Sequence, residues 1–116
     1  MWVYSAYPKA LYLYDLVWAD CDVMTKDLRG RAIADQIIRS AGSISANMEE
    51  GYGRGLGLDY ARFLGFALGS ARETQGWYVR VRHLLSNELI EKRLALLDEI
   101  IALLVTTISN QKSKRK

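Results

Sequence analysis

Cysteine, proline and histidine occur once each in the 116 residues, and each scarcity excludes a class of chemistry. A lone Cys21 forms no intramolecular disulfide, so the chain reads as a reduced, cytoplasmic protein rather than a stapled secreted scaffold. A single His83, with Arg80 three residues before it, cannot supply the paired Glu-x-x-His ligands of a di-iron helical bundle, and no metal or cofactor is expected. A Cys21–His83 couple would need the base near the far end of another helix, which argues against nucleophilic catalysis. The single Pro8 leaves the rest of the chain free to form long helices. Long apolar runs are also missing: Leu94 to Ile108 is interrupted by Asp98 and Glu99, and MWVYSAYPK lacks a basic segment followed by an apolar one. Neither a membrane span nor a signal peptide is predicted.

The residues that are present, half of them apolar and a quarter charged, repeat at spacings of three and four. Helix 1 is predicted from Pro8, with Ser5 as cap, to between Met24 and Arg29. Tyr7, Leu11, Tyr14, Trp18 and Cys21 form one stripe, with Ala6, Ala10, Leu13 and Val17 beside it. Helix 2 spans about 30–51 on Ile33, Ile37, Ala41, Ile44, Met48 and Tyr52, and its Ser-Gly-rich centre needs tertiary packing to stay helical. Helix 3 spans about 59–85 on Tyr60, Leu64, Ala67, Ala71, Thr74, Tyr78, Val81 and Leu85. Gly65, Gly69 and Gly76 on another of its faces predict close approach of a second helix. Helix 4 starts at Ser86 or Asn87 and uses Ile90, Leu94, Leu97, Ile101, Leu104 and Ile108. Short connections favour antiparallel neighbours. The fold class is therefore all-α, an antiparallel up-down four-helix bundle over 1–109, with 110–116 as a basic disordered tail. Surplus apolar surface on helix 4 points to a homo-oligomer.

Glycines at 51, 53, 55 and 57 resemble a phosphate-binding loop only superficially. They follow a helix rather than a strand, and no Gly-Lys-Ser/Thr closes the run. Charge is more informative. The net charge of +3 rests on Lys112, Lys114, Arg115 and Lys116, which would bind any polyanion weakly. Residues 1–28 and 86–111 are acidic overall, whereas 29–85 are basic and every cation there is an arginine. Arginine suits bidentate contact with phosphate or carboxylate, so Arg54, Arg62, Arg72, Arg80 and Arg82 are candidate RNA contacts, or contacts to acidic helices of another subunit. A polar line on helix 2, Gln36, Ser40, Ser43, Asn47, Glu50 and Arg54, and Ser70 and Glu73 beside the helix 3 seam predict an internal hydrogen-bond network that fixes bundle register or a subunit contact, with a polar groove for a ligand or partner as the alternative. A buried Glu73 acting as base would be the one enzymatic reading, and the sequence names no substrate for it.

RSAGSISANMEEGYGRG followed by DYARFLGFALGSARETQGWY resembles the S23-like family, the 23S rRNA intervening-sequence proteins. Gln36, Arg39, Ser43, Asn47, Glu50, Gly51, Arg54, Arg62, Ala67, Gly69, Ser70 and Glu73 carry the likeness, which extends through Arg93, Leu97 and Ile100. Met48-Glu49, Gly55-Leu56-Gly57 and Gly76-Trp77-Tyr78 depart from the family's usual pattern and suggest a subgroup. The resemblance implies a left-handed bundle, a ring that is commonly a homo-pentamer, no enzymatic activity and an association with RNA or ribonucleoprotein. It also brings in a related bundle, the accessory variability determinant of diversity-generating retroelements, whose partners are a reverse transcriptase and its RNA. A protein-only scaffold is the remaining alternative.

Overall fold

The computed structural model describes residues 6–55 and 57–113, and measures 51 × 22 × 20 Å. Four helices follow one another: α1 (Tyr7–Met24), α2 (Leu28–Gly53), α3 (Leu58–Arg80) and α4 (Asn87–Ser113). Pro8 sits in the first turn of α1, where its missing N–H costs nothing. Ala6 occupies the cap position without a side-chain bond, and the expected cap Ser5 lies outside the described residues. Asp27 caps α2 by accepting from the Arg29 amide at 2.8 Å, so that helix begins at Leu28 rather than Gly30. Ser86 Oγ accepts from the Leu89 amide at 3.2 Å to open α4.

Three expectations about extent are corrected. Helix α3 stops at Arg80, and 81–85 form a turn closed by the Leu84 amide donating to the Val81 carbonyl. Val81 and Leu85 keep the apolar spacing, but they plug the end of the bundle instead of extending the helix. Helix α2 reaches Gly53, after which Gly55 and Gly57 adopt φ of +98° and +88°, values that non-glycine residues rarely take. The presumed tail is helical through Ser113, and Gln111 is buried with its Oε1 accepting from the Gly57 amide at 3.1 Å. Closing the glycine loop gives that last turn a reason to stay folded. Lys114, Arg115 and Lys116 lie outside the described residues.

The α3 seam is buried along its whole predicted length, with Tyr60, Leu64, Ala67, Ala71, Thr74 and Tyr78 at 0–1% exposure. On α1 the two stripes are not equally buried. Ala10, Leu13, Val17 and Met24 are buried, while Leu11 and Trp18 face out at 41% and 63% exposure. Both stripes are apolar, so periodicity left the choice to the neighbours: small Ala10 and mid-sized Leu13 and Val17 fit against α2 where Trp18 would not. Helix α2 packs most extensively on α3, and α3 on α4, while α1 lies chiefly on α2. The Ser-Gly centre of α2 stays helical beneath Tyr14, whose ring carbon would be 3.3 Å from a Cβ at Gly42.

The expected close approach at the α3 glycines is not found within the chain. Nothing lies within 4 Å of a Cβ built at Gly65 or Gly69. Close packing occurs instead at Gly30, where a Cβ would collide with the Met24 carbonyl and lie 2.7 Å from Leu84 Cδ1. Gly51 is similar, with Phe63 Cβ at 2.7 Å from such a carbon.

Candidate functional site

Because Tyr60, Leu64, Ala67, Ala71, Thr74 and Tyr78 commit one side of α3 to the core, about 100° of rotation per residue turns Arg62, Phe66, Gly69, Glu73 and Arg80 outward. The arginines there do not hang free. Arg54 and Arg62 lie 5.1 and 5.0 Å from the centre of the Phe63 ring, and Arg62 is 5.8 Å from Phe66. Arg80 lies 5.0 Å from Trp77. Among the described residues these are the cation–π contacts, and all of them are on this side of the molecule. Stacking on a ring holds a guanidinium with its N–H edge exposed, a geometry suited to phosphate or carboxylate.

The predicted arginine band is resolved into two groups. Arg54 and Arg62 sit at the start of α3 and also pair with Glu50 at 3.0 Å and Asp59 at 3.7 Å. Arg80 lies about 27 Å further along the helix axis. Arg72 is exposed between them, and neither Arg72 nor Arg80 has a carboxylate partner among the described residues. Arg82 has left the helix, and its Nη1 donates to the Val79 carbonyl at 3.0 Å. Lys112 is exposed in the last turn of α4.

The polar line on α2 flanks the same region, since Ser40 meets Thr74 and Gly51 meets Phe63. Its expected role as a network between helices is corrected. Ser43 donates to the Arg39 carbonyl at 2.9 Å and Asn47 to the Ser43 carbonyl at 2.8 Å, both within α2. Arg39 pairs with Asp35 and Arg54 with Glu50 along the same helix. Gln36 is half-buried. Only Ser40 crosses, its hydroxyl 2.8 Å from that of Thr74, which also donates to the Ser70 carbonyl. Glu73 is exposed and accepts from the Trp77 indole N–H at 3.1 Å. It is therefore not the buried base that an enzymatic reading would require.

A buried polar network that ties three helices together lies elsewhere. Buried Asp20 of α1 accepts from Tyr78 Oη of α3 at 2.6 Å and from Arg93 Nε and Nη2 of α4 at 2.8 and 3.1 Å. Burial, then the Asp20 carboxylate, pushes the Tyr78 phenol far above its ordinary range. A signal was present in the sequence: Asp20 interrupts the buried stripe Leu13, Val17, Met24, and a charge at a core position needs a buried partner. Cys21 next to it is half-buried, and desolvation with Asp20 and Asp22 pushes its thiol up, opposite to what a nucleophile needs.

Two concavities lie near the 81–86 turn. One, of about 140 Å³, is lined by Arg29, Ile33, Arg80, Val81, His83 and Leu84. The other, about 330 Å³, is bordered by Ser86, Glu88, Leu89, Lys92 and Arg93. In the second, Lys92 pairs with Glu88 at 3.2 Å and Arg93 is committed to Asp20, so its charges are already satisfied. Among the described residues no group of three His, Cys, Asp or Glu side chains could hold a metal ion, and no helix is long and apolar enough to cross a membrane.

Fold and surface together define a four-helix-bundle protein with an arginine-aromatic outer face. The sequence pattern of the family described as 23S rRNA-intervening sequence protein matches residues 4–106, and the chain belongs to that family. Its fold is similar to that of a crystal structure from Bacteroides thetaiotaomicron VPI-5482, a protein of unknown function from the S23 ribosomal protein family. That similarity has a TM-score of 0.82 and 25% sequence identity, and covers 89% of this chain and 97% of the other. Among curated proteins none matches.

Proposed function

We propose that this protein is a non-enzymatic, homo-oligomeric bundle of antiparallel up-down helices that acts as an RNA- or ribonucleoprotein-associated adaptor. The observation that carries this reading is the outer face of α3, where Arg54, Arg62 and Arg80 are stacked on Phe63, Phe66 and Trp77. Single-stranded RNA is bound by this combination: arginines meet phosphates, and exposed aromatic or guanidinium planes stack on bases. The family's description, 23S rRNA-intervening sequence protein, agrees with it. Self-association is supported by the outer face of α1, where Leu11, Tyr12, Trp18 and Val23 are exposed, more large apolar surface on one helix than a monomer needs.

The test is size-exclusion chromatography with light scattering and absorbance at two wavelengths, on untagged protein purified at low salt without nuclease. The expected result is a multimeric particle, a ring in this reading, carrying RNA that high salt removes. A monomer free of RNA overturns the proposal.

A protein-only scaffold is favoured by one specific observation. The α1 face also carries exposed Asp15 and Asp22, which would complement Arg72 and Arg80 of another copy. In that case the joint variant Arg72→Ala, Arg80→Ala and Arg82→Ala dissociates the assembly, whereas an RNA-binding ring stays assembled and loses RNA.

A further inference from the structure

We infer that the cleft at the 81–86 turn is a binding site for a nucleoside monophosphate unit, with the base on its aliphatic floor and the phosphate on its basic rim. The floor is Ile33, Val81 and Leu84. It exists because residue 30 has no side chain: Leu84 Cδ1 would be 2.7 Å from a Cβ there, so only glycine lets Leu84 lie against the start of α2. The rim is Arg29, Arg80 and His83, and none of the six lining residues is acidic.

The rim charges differ in availability. Arg29 Nε and Nη2 donate to the two oxygens of Asp27 at 3.0 and 2.8 Å, so that arginine is largely neutralised and fixed in place. Arg80 faces no carboxylate among the described residues and is held by the Trp77 ring, 5.0 Å from its guanidinium. His83 is exposed beside it. A ligand that satisfies this place needs an anionic group within reach of Arg80 and His83 and a compact apolar or flat body next to that group. A cleft of about 140 Å³ holds one ring system, not an acyl chain or a folded peptide. The indole–guanidinium stack at the mouth adds a surface on which a base or its neighbour stacks. A nucleotide meets each requirement, either free in solution or as a unit of an RNA strand. The RNA source rests on the function proposed above, while the free nucleotide does not.

The experiment is titration of the full-length, ¹⁵N-labelled protein with adenosine 5′-monophosphate, with adenosine, and with a short single-stranded oligo(A), following backbone amides. Adenosine monophosphate should move the amides of Arg29, Ile33, His83 and Leu84, and adenosine should bind about ten-fold more weakly for want of a charge-assisted bond. Arg80→Ala should weaken the monophosphate by about the same factor, and Ile33→Trp, which fills the floor, should abolish the shifts. Should Ile33→Trp fail to fold, the exposed Arg80→Ala still decides the matter. Tighter binding of oligo(A) through the same amides identifies RNA as the source; equal or weaker binding identifies the free nucleotide. Amides that do not move with either ligand at millimolar concentration, or wild-type affinity in Arg80→Ala, overturn the site. Oligo(A) that moves residues around Phe66 and leaves the cleft silent refutes this inference alone. Adenosine monophosphate in the cleft with no RNA bound anywhere refutes the adaptor function alone.

Discussion

Gly30 and Gly69 are chemically identical and predict opposite outcomes. At Gly30 an added methyl meets a backbone carbonyl and Leu84, so Gly30→Ala should cost about 1–3 kcal/mol through overpacking. At Gly69 the space is open, and Gly69→Ala should stabilise the helix by up to about 1 kcal/mol. Thermal melts of the two variants check both signs. The Asp20 cluster is the other residue-scale determinant. Asp20→Ala leaves Arg93, with only 12% of its side chain exposed, as an uncompensated buried charge, and should destabilise by about 3–5 kcal/mol in denaturant titrations. Tyr78 predicts a pH dependence. Its folded pKa is raised, so above the unfolded value of about 10 the unfolded chain loses the proton while the folded chain keeps it. Stability should therefore fall as pH rises beyond that point, and Tyr78→Phe should flatten the alkaline limb of the curve.

At the scale of elements, α3 and α4 show what periodicity conveys and where it stops. The α3 seam was legible because its four-three spacing runs unbroken from Tyr60 to Tyr78, whereas the apolar residues off it, Phe63, Phe66, Leu68 and Trp77, continue no such line. The α1 pattern was not legible, because two apolar stripes compete and only the volume available beside α2 selects between them. The end of α4 was missed for a different reason. NQKSKRK has the composition of a disordered tail, yet Gln111 has a buried donor to satisfy in Gly57. Gln111→Ala should strand that amide at a cost of about 1–3 kcal/mol, and hydrogen exchange at Gly57 and along the last turn of α4 should accelerate. Unchanged exchange would show that the loop holds itself.

Function belongs to the whole molecule. The stacked arginines come from the end of α2 and both ends of α3, and no single helix presents them. Replacing Arg54, Arg62 and Arg80 together by Ala should leave the melting temperature close to wild type, since all are exposed. If they contact RNA phosphates, the slope of log affinity against log salt should fall by about 2, as expected for three contacts to a single strand. A slope unchanged by the triple variant would place the RNA elsewhere on the surface.

The candidate arginines were legible as a list, since every cation between 29 and 85 is an arginine. Their division into two stacked groups, and the recruitment of Arg29 and His83 to one cleft, were not. By itself the sequence determined the helical class, the number of helices, the α3 seam and the family, because spacing along one chain fixes what lies on one helix face. The tertiary structure alone decided which α1 stripe is buried, which glycines are close-packed, where α3 and α4 end and which carboxylate neutralises Arg93. Asp20 and Arg93 are 73 positions apart, and Gly57 and Gln111, like Gly30 and Leu84, are 54 apart; no periodicity within a helix encodes such separations.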